Sequence, residues 1–584
     1  MRPFKKGTAI PRLFKGLLMS VFEVSGELRS EMDITAIRLL REAYNLFKKL
    51  DLQCEESKIH EEVRAFFQIE RESRSATLNW EQDELNIRNV DSIHVNDCHH
   101  PDVLYRRLPD QLDLFGTDEA ASSIDSTLGA TFQSVCDYIV ASFPVFEPGE
   151  WKPKHGPGAV SDLRGVDNKY LFPNWPDKLE QLYPMSEYAF ANFNMWADLA
   201  GEPDSIGFSP HEPPSKLIAV PKTQKGPRLI ASEPVSHQWI QQMQRKYLIH
   251  CMMRSPISSC VDFNSQKRNQ DAAYNASLGS GHATVDLSSA SDRMSCWVVE
   301  RVFRRNPNIL KMLHSSRTRW MINSIDRKSP KYILLKKFAC QGSALTFPVQ
   351  TLIYSIAAVA SIIYDEKAPV TFRSIKAAAE RVQIYGDDTV IPIDSLDTYR
   401  GLLEYLGFKV NHKKTYGTGK FRESCGTEWF EGTNVTPSYF RSIPCRTRPE
   451  SVVSAIEVSN NFFVNGYFHI AEYIKSTVQR ILPKNSVPFV AADSGALGWC
   501  RPMPDLDWKP RMRTHRHYQD RFIQVLGLSA KITVSPNQGS SSLLQYFIEA
   551  PEPDNIWKSG VRSRPKLNLK FRWERADFFL KPVT

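Results

Sequence analysis

Two short β-type runs, Val382-Gln383-Ile384 and Thr389-Val390-Ile391, flank Tyr385-Gly386-Asp387-Asp388, and so short a connection predicts a tight hairpin. Such a turn presents two adjacent carboxylates outward, where they repel each other. A divalent cation set against them removes that repulsion. A Gly-Asp turn is also ordinary hairpin chemistry, so the metal reading requires a second acidic site. About a hundred residues upstream, His282-Ala283-Thr284-Val285-Asp286-Leu287 reads as a short strand ending at an aspartate. Ser288-Ser289-Ala290-Ser291-Asp292 then turns the chain into a helix expected from Arg293 to Val302. Small residues after Asp286 let the backbone approach a ligand. Alone, Asp286 would read as a helix N-cap or a solvated acid. Beside Asp387 and Asp388 it would complete three carboxylates around a pair of Mg²⁺ ions, which keep waters and bind substrate phosphates as well.

A chain of 584 residues, 42% hydrophobic, can bury several cores, and its length suggests about three to five domains or subdomains. Its formal charge of +9 suits a polyanionic partner. The ten cysteines are scattered with no CxxC pair, which argues against a zinc ribbon and a disulfide framework and for a reducing cytoplasm. His94, Cys98, His99 and His100 match no structural zinc spacing and read as a polar loop. Near the N-terminus the apolar run Gly16 to Phe22 ends too early, at Glu23, for a secretory signal. No continuous apolar stretch approaches the ~20 residues of a membrane span.

Residues 30–70 carry helical periodicity, with Ile37, Leu40, Tyr44, Phe47 and Leu50 on one face. Phe132 to Phe143 reads as a second apolar helix, and Lys154 to Ala159 as a loop whose amides could meet a phosphate or simply connect elements. Between Lys216 and Ile230 two apolar strands flank a turn with Lys222, Lys225 and Arg228. Solvated charge explains these three as well as triphosphate binding does; in the second case Arg228 would grip phosphate oxygens in a bidentate fork. Thr346 is expected to cap an apolar helix from Val349 to Ile363, after a mobile Gly342-Ser343 loop open to a template strand. Ser395 to Leu406 reads as an amphipathic helix stopped by Gly407, Phe408 to Val410 as a strand, and Phe421 to Phe430 as another hairpin. This order suits an α+β layer with an antiparallel sheet carrying the acids and helices on one face. Trp508 to Arg516 and Lys566 to Arg575, with Phe571 and Trp573, interleave cations and aromatics that could hold a phosphate backbone and stack bases, or could be solvated surface.

Taken in order, these segments resemble the motifs of RNA-dependent RNA polymerases, and specifically the replicase subunit of positive-strand RNA bacteriophages, the leviviruses. Val285 to Asp292, Tyr385 to Asp388, Phe421 to Gly426, Val220-Pro221-Lys222 with Glu233-Pro234, and Asn269-Gln270 carry the likeness, over about residues 210–440. The resemblance implies an α+β right hand of fingers, palm and thumb. Residues 1–145 would be an N-terminal helical and fingers region, 146–280 fingers with the cationic hairpin, 281–440 the palm and 441–584 the thumb with a basic C-terminal region. It implies primer-independent copying of RNA from an RNA template, with two Mg²⁺ ions, or Mn²⁺, at Asp286, Asp387 and Asp388. Asp292 matches an acid that helps recognise the ribose, and Lys222, Lys225 and Arg228 match cations that meet the incoming triphosphate. Lys414, or its neighbour Lys413, falls where a lysine protonates the leaving pyrophosphate. Gly342, Ser343 and Thr346 fit a glycine-to-threonine motif, and Gln350 stands where many such enzymes have Asn for 2′-hydroxyl selection. The implied partners are template and product RNA, ribonucleoside triphosphates, and the host's elongation factors Tu and Ts with a ribosomal protein, in the cytoplasm of an infected bacterium and with no membrane. A reverse transcriptase could use the same three acids but would take deoxyribonucleotides. A non-catalytic RNA-packaging protein would leave the acids unexplained.

Overall fold

The computed structural model describes residues 12–23, 25, 29, 33–51, 54–87, 93–95, 126–156, 158–163, 168–200, 211–223, 226–491, 496–531, 534–535, 539–549, 561–562 and 566–579. Helices and short strands are mixed throughout, which gives the expected α+β class. At the centre, strand His282–Val285 lies antiparallel to Asp388–Pro392, which pairs in turn with Gln383–Tyr385. Tyr385 faces Asp388, so Gly386 and Asp387 form a two-residue turn. Gly386 has φ +64°, a left-handed conformation that glycine adopts without the Cβ penalty.

The helix Thr346–Asp365 packs against this sheet. It is apolar on all sides and therefore belongs in an interior. Among the described residues it alone is long and apolar enough to cross a membrane, and 94% of its 18-residue apolar stretch is buried inside the protein. Thr346 does not cap it as expected. Leu345 occupies that position, and the Thr346 hydroxyl donates instead to the Cys340 carbonyl at 2.6 Å. The helix expected from Arg293 is also displaced. Ser291–Arg293 is a single 3₁₀ turn, and the helix Cys296–Phe303 begins after Ser295, whose hydroxyl accepts from Val298 N–H at 3.4 Å. Leu396–Tyr405 follows the acidic hairpin, buries Leu396, Tyr399 and Leu403, and stops before Gly407 at φ +92°.

Three further cores surround the central one. In the first, Ser215–Thr223 and Gly226–Ser232 pair as the expected hairpin, continued by Trp320–Ile322 and Tyr332–Leu334. Helix Glu56–Glu72 packs Val63, Phe66 and Phe67 onto Leu217 and Ala231 of that sheet. In the second, the N-terminal helix Arg12–Val21 and the helix Ile34–Asn45 bring Val21, Ile37 and Leu40 against Phe430 and Val435. Tyr44 and Phe47 do not join that face; they are 48% and 54% exposed, Tyr44 on the outer side of the helix and Phe47 beyond its end at Asn45. The third core joins helices Pro449–Val464 and Phe468–Ile481 to a sheet of Met512–Thr514, Arg521–Lys531 and Lys566–Arg575. Trp508 is buried in it, edge-on to Phe489 at 5.2 Å, so this ring has no face left for a base. The nine described cysteines form no disulfide; Cys98, His99 and His100 lie outside the described residues.

Candidate active site

Strand register brings the acids together. Val285 faces Thr389, so the next residue of each strand, Asp286 and Asp388, meets at the same end of the sheet, with Asp387 on the adjoining turn. Burial and the charges of Asp387 and Asp286 push the Asp388 carboxyl up to about 7, against a hydrogen bond from the Cys425 amide. Burial and Asp286 likewise raise Asp387, although Lys222 and Arg228 oppose the rise. The shifts record anionic charge crowded into one place.

Cations ring this cluster. Lys414 Nζ stands 3.5 Å from Asp286 Oδ2, and burial, which alone would lower its pKa, is outweighed by Asp286, Glu423 and Asp388, so the lysine is raised. Lys222 is lowered by burial and by Arg228 and Lys414, with Asp387 and Asp286 pulling the other way. The cationic hairpin thus reaches the acids through Lys222 and Arg228, while Lys225 lies outside the described residues. Hard carboxylate oxygens are the donors that Mg²⁺ prefers, and crowding that raises Asp387 and Asp388 is what a bound cation would relieve. Among the described residues no three such side chains converge at metal-binding distance. The Asp286 Oδ2 instead accepts from Asn411 Nδ2 at 2.8 Å.

Behind the acids, Gln350 spans two motifs. Its Oε1 accepts from the Ser291 hydroxyl at 3.1 Å, and its Nε2 packs on the acidic turn, 3.1 Å from where a Cβ on Gly386 would sit. Phe347 meets Tyr385 edge-on at 5.1 Å. Asp292 lies in the 3₁₀ turn beside Ser291, partly buried against Lys337, whose Nζ is 3.9 Å from Asp292 and 3.4 Å from Glu70. Burial raises the Asp292 pKa, opposed by Lys337.

The Gly342-Ser343 loop is clamped, which overturns the expectation of a mobile segment. Gln341 O accepts from Ala231 N–H at 2.6 Å, and a Cβ on Gly342, at φ +123°, would fall 1.8 Å from the Ala231 carbonyl oxygen. Gln241 Oε1 accepts from the Ser343 hydroxyl at 3.1 Å and the Ala344 amide at 3.2 Å, while its Nε2 donates to Glu233 at 3.2 Å. Buried polar groups thus tie this loop to the strand that carries Arg228. In the Lys154 to Ala159 loop Lys169 Nζ donates to Gly156 O at 3.2 Å and to Gly158 O.

Residues 178–460 match the family described as RNA replicase, beta-chain, and this stretch contains the three acids and the cations that face them. That segment is similar to the RNA replicase beta-chain family. It resembles the RNA-directed RNA polymerase subunit beta of Qbeta virus (strain MX1), 31% identical over 303 residues, 50% of this chain and 47% of that protein. The subunit of Enterobacteria phage SP is 30% identical over 277 residues, 47% and 44% of the two chains. The RNA-directed RNA polymerase beta chain of Escherichia phage MS2 is 30% identical over 226 residues, 38% and 37%. The chain spans about half the length of the first of these relatives, and less of the others.

Within the matched segment sequence reading missed Asn411, and it named Asn269, Gln270 and Glu423 only as carrying the likeness, without a role. Asn411 holds Asp286 by backbone and side chain, its N–H donating to Asp286 O at 2.8 Å. Asn269, on helix Lys267–Ser277, donates to the Asp388 carbonyl at 3.1 Å, and Gln270 reaches Cys425 O at 3.5 Å. Glu423 adds negative charge felt by Asp388 and Lys414. Only the pairing of Leu287 with Val410, which sets Asn411 opposite Asp286, could have exposed the first of them.

Proposed function

We propose that this chain is an RNA-dependent RNA polymerase that joins ribonucleotides on an RNA template. The observation that carries the reading is the meeting of Asp286, Asp387 and Asp388 at one end of the central sheet, faced by Lys222, Arg228 and Lys414 inside the replicase segment. Asp286, Asp387 and Asp388 would hold two Mg²⁺ or Mn²⁺ ions. Bound there, they would lower the pKa of the RNA 3′-hydroxyl and neutralise charge on the departing pyrophosphate.

The chain's own groups do the rest. Lys222, Arg228 and Lys225 draw the triphosphate toward the acids. Lys414, held protonated by Asp286, stands ready to give a proton to the leaving pyrophosphate, and its ion pair favours it over Lys413. Ser291, Gln350 and Asp292 form the wall that meets the ribose, with Gly342, Ser343 and Thr346 fixing its far side. Asp292 is free for this role because Ser295 caps the following helix. In this reading the central sheet is a palm at 281–440, the cationic hairpin belongs to fingers at 146–280 with the region 1–145, and residues 441–584 form a thumb. Initiation without a primer, work in the cytoplasm of an infected bacterium, and assembly with elongation factors Tu and Ts and a ribosomal protein rest on the family likeness; the relatives' own names call them subunits.

The test is extension on a defined RNA template by the purified chain, with and without host extract. Incorporation of ribonucleotides that stops with EDTA and returns with Mg²⁺ is the expected result. Incorporation of deoxyribonucleotides alone, or synthesis indifferent to chelation, would overturn the reading.

A further inference from the structure

Residues 509–531 and 566–575 hold ten lysines and arginines against two acidic residues, a surplus of eight in a chain whose whole surplus is nine. All ten are exposed. Both acids are already paired inside the group, Glu574 with Arg572 Nε at 2.7 Å and Asp520 with Arg575 at 3.0 Å. Most of these residues stand on the sheet of Met512–Thr514, Arg521–Lys531 and Lys566–Arg575.

One face of that sheet adds rings to the cations. Arg513, Phe522 and Arg575 lie abreast across the three strands; two residues along, Gln524 faces Trp573, and two further, Leu526 faces Phe571. Alternate residues of a strand share a face about 7 Å apart. The Arg513 guanidinium lies 4.5 Å from the Trp573 ring centre and 5.8 Å from that of Phe522, and His515 stacks on Tyr518 at 4.8 Å and 26°. Phe571 is 47% exposed and Tyr518 76%.

We propose that this sheet is a binding platform for single-stranded RNA, separate from the carboxylate site. Flat rings and a guanidinium held against them offer stacking surfaces to unpaired bases, and the surrounding cations meet phosphates. The rings select this occupant. Heparin, an acidic protein or an anionic membrane would use the charge and leave the rings idle, and a duplex hides its base faces.

The experiment measures binding of the full chain to a labelled single-stranded RNA of about 20 nucleotides without nucleotides or metal, so its outcome is independent of whether the chain polymerises. Phe571→Ala and Trp573→Ala should each weaken binding about fivefold to a hundredfold, and Trp573→Phe should restore most of it. The slope of log affinity against log salt should stay unchanged in these variants. In Lys566→Ala and Lys570→Ala it should become shallower by about 0.7 for each phosphate that is no longer neutralised. Melting curves that match wild type show that the sheet is intact, and the exposed Phe571 provides a second reading where Trp573→Ala unfolds. Wild-type RNA affinity in the ring variants would overturn the proposal. So would an equal loss of heparin binding, or a duplex that binds as tightly as the single strand.

Discussion

At Asp286 one carboxylate oxygen takes a hydrogen bond from Asn411 and faces Lys414, so a loss of charge here removes the partner of Lys414 and, under the proposed function, a metal ligand. Asp387→Asn or Asp286→Asn is expected to abolish nucleotide addition while RNA affinity stays near wild type, measured by extension and by filter binding on the same preparation. Arg228→Ala should raise the apparent KM for all four ribonucleotides together, since a cation that meets phosphate does not read the base. An effect on one nucleotide alone would place Arg228 on a base. A different residue contributes to acid sensitivity. Burial, assisted by the charge of Lys169, holds His155 down to about 3, among Tyr170, Phe172 and Trp239. Its unfolded value is 6.5, so the stability it contributes is present above that pH and is lost as pH falls through 6.5 toward 3. His155→Phe should therefore flatten the decline in Tm between about pH 7 and pH 4.5, and parallel curves would refute a buried neutral imidazole. The acids were legible in sequence because two carboxylates on a turn are chemically conspicuous. Asn411 and Lys337 were not, because each acts through an interaction between distant segments and neither is unusual in its own neighbourhood.

Among elements, the hairpins were readable from alternation and turn chemistry, whereas starts of helices were not. Thr346 looks like a cap and instead donates to Cys340 O, and the expected start at Arg293 fails because a 3₁₀ turn intervenes before Ser295. The clamped loop was misread for a related reason, since glycine and serine next to each other suggest freedom when no partner is visible. Gly342 has no room for a side chain. Gly342→Ala is expected to destabilise the protein by at least about 3 kcal/mol by overpacking. Gly279→Ala, also at positive φ (+98°) but with nothing within 4 Å, should cost only about 1 kcal/mol. Urea midpoints for the two variants compare them directly, and equal losses would show that φ rather than the Ala231 carbonyl sets the cost.

For the molecule as a whole, the α+β class followed from the alternation of patterns, but its separate cores did not, because which apolar residues share a core depends on tertiary pairing. The core of Val452, Ile456, Trp508 and Ile523 shares no buried member with the central one. Ile456→Ala should cost about 2–5 kcal/mol and lower one calorimetric transition while leaving a second in place; a single shifted peak would show that the cores melt together. The segment from Cys340 to Leu345 is another seam, since Cys340 belongs to the core under the cationic hairpin and Leu345 to the central one. That seam is closed by main chain against main chain at Ala231, Gln341 and Gly342, and by the Gln241 side chain at Ser343 and Ala344. Side-chain identity at position 231 does not enter it. Residues of either core that do not touch the seam can therefore vary without disturbing the join, whereas a Cβ at position 342 would force the two strands of backbone apart.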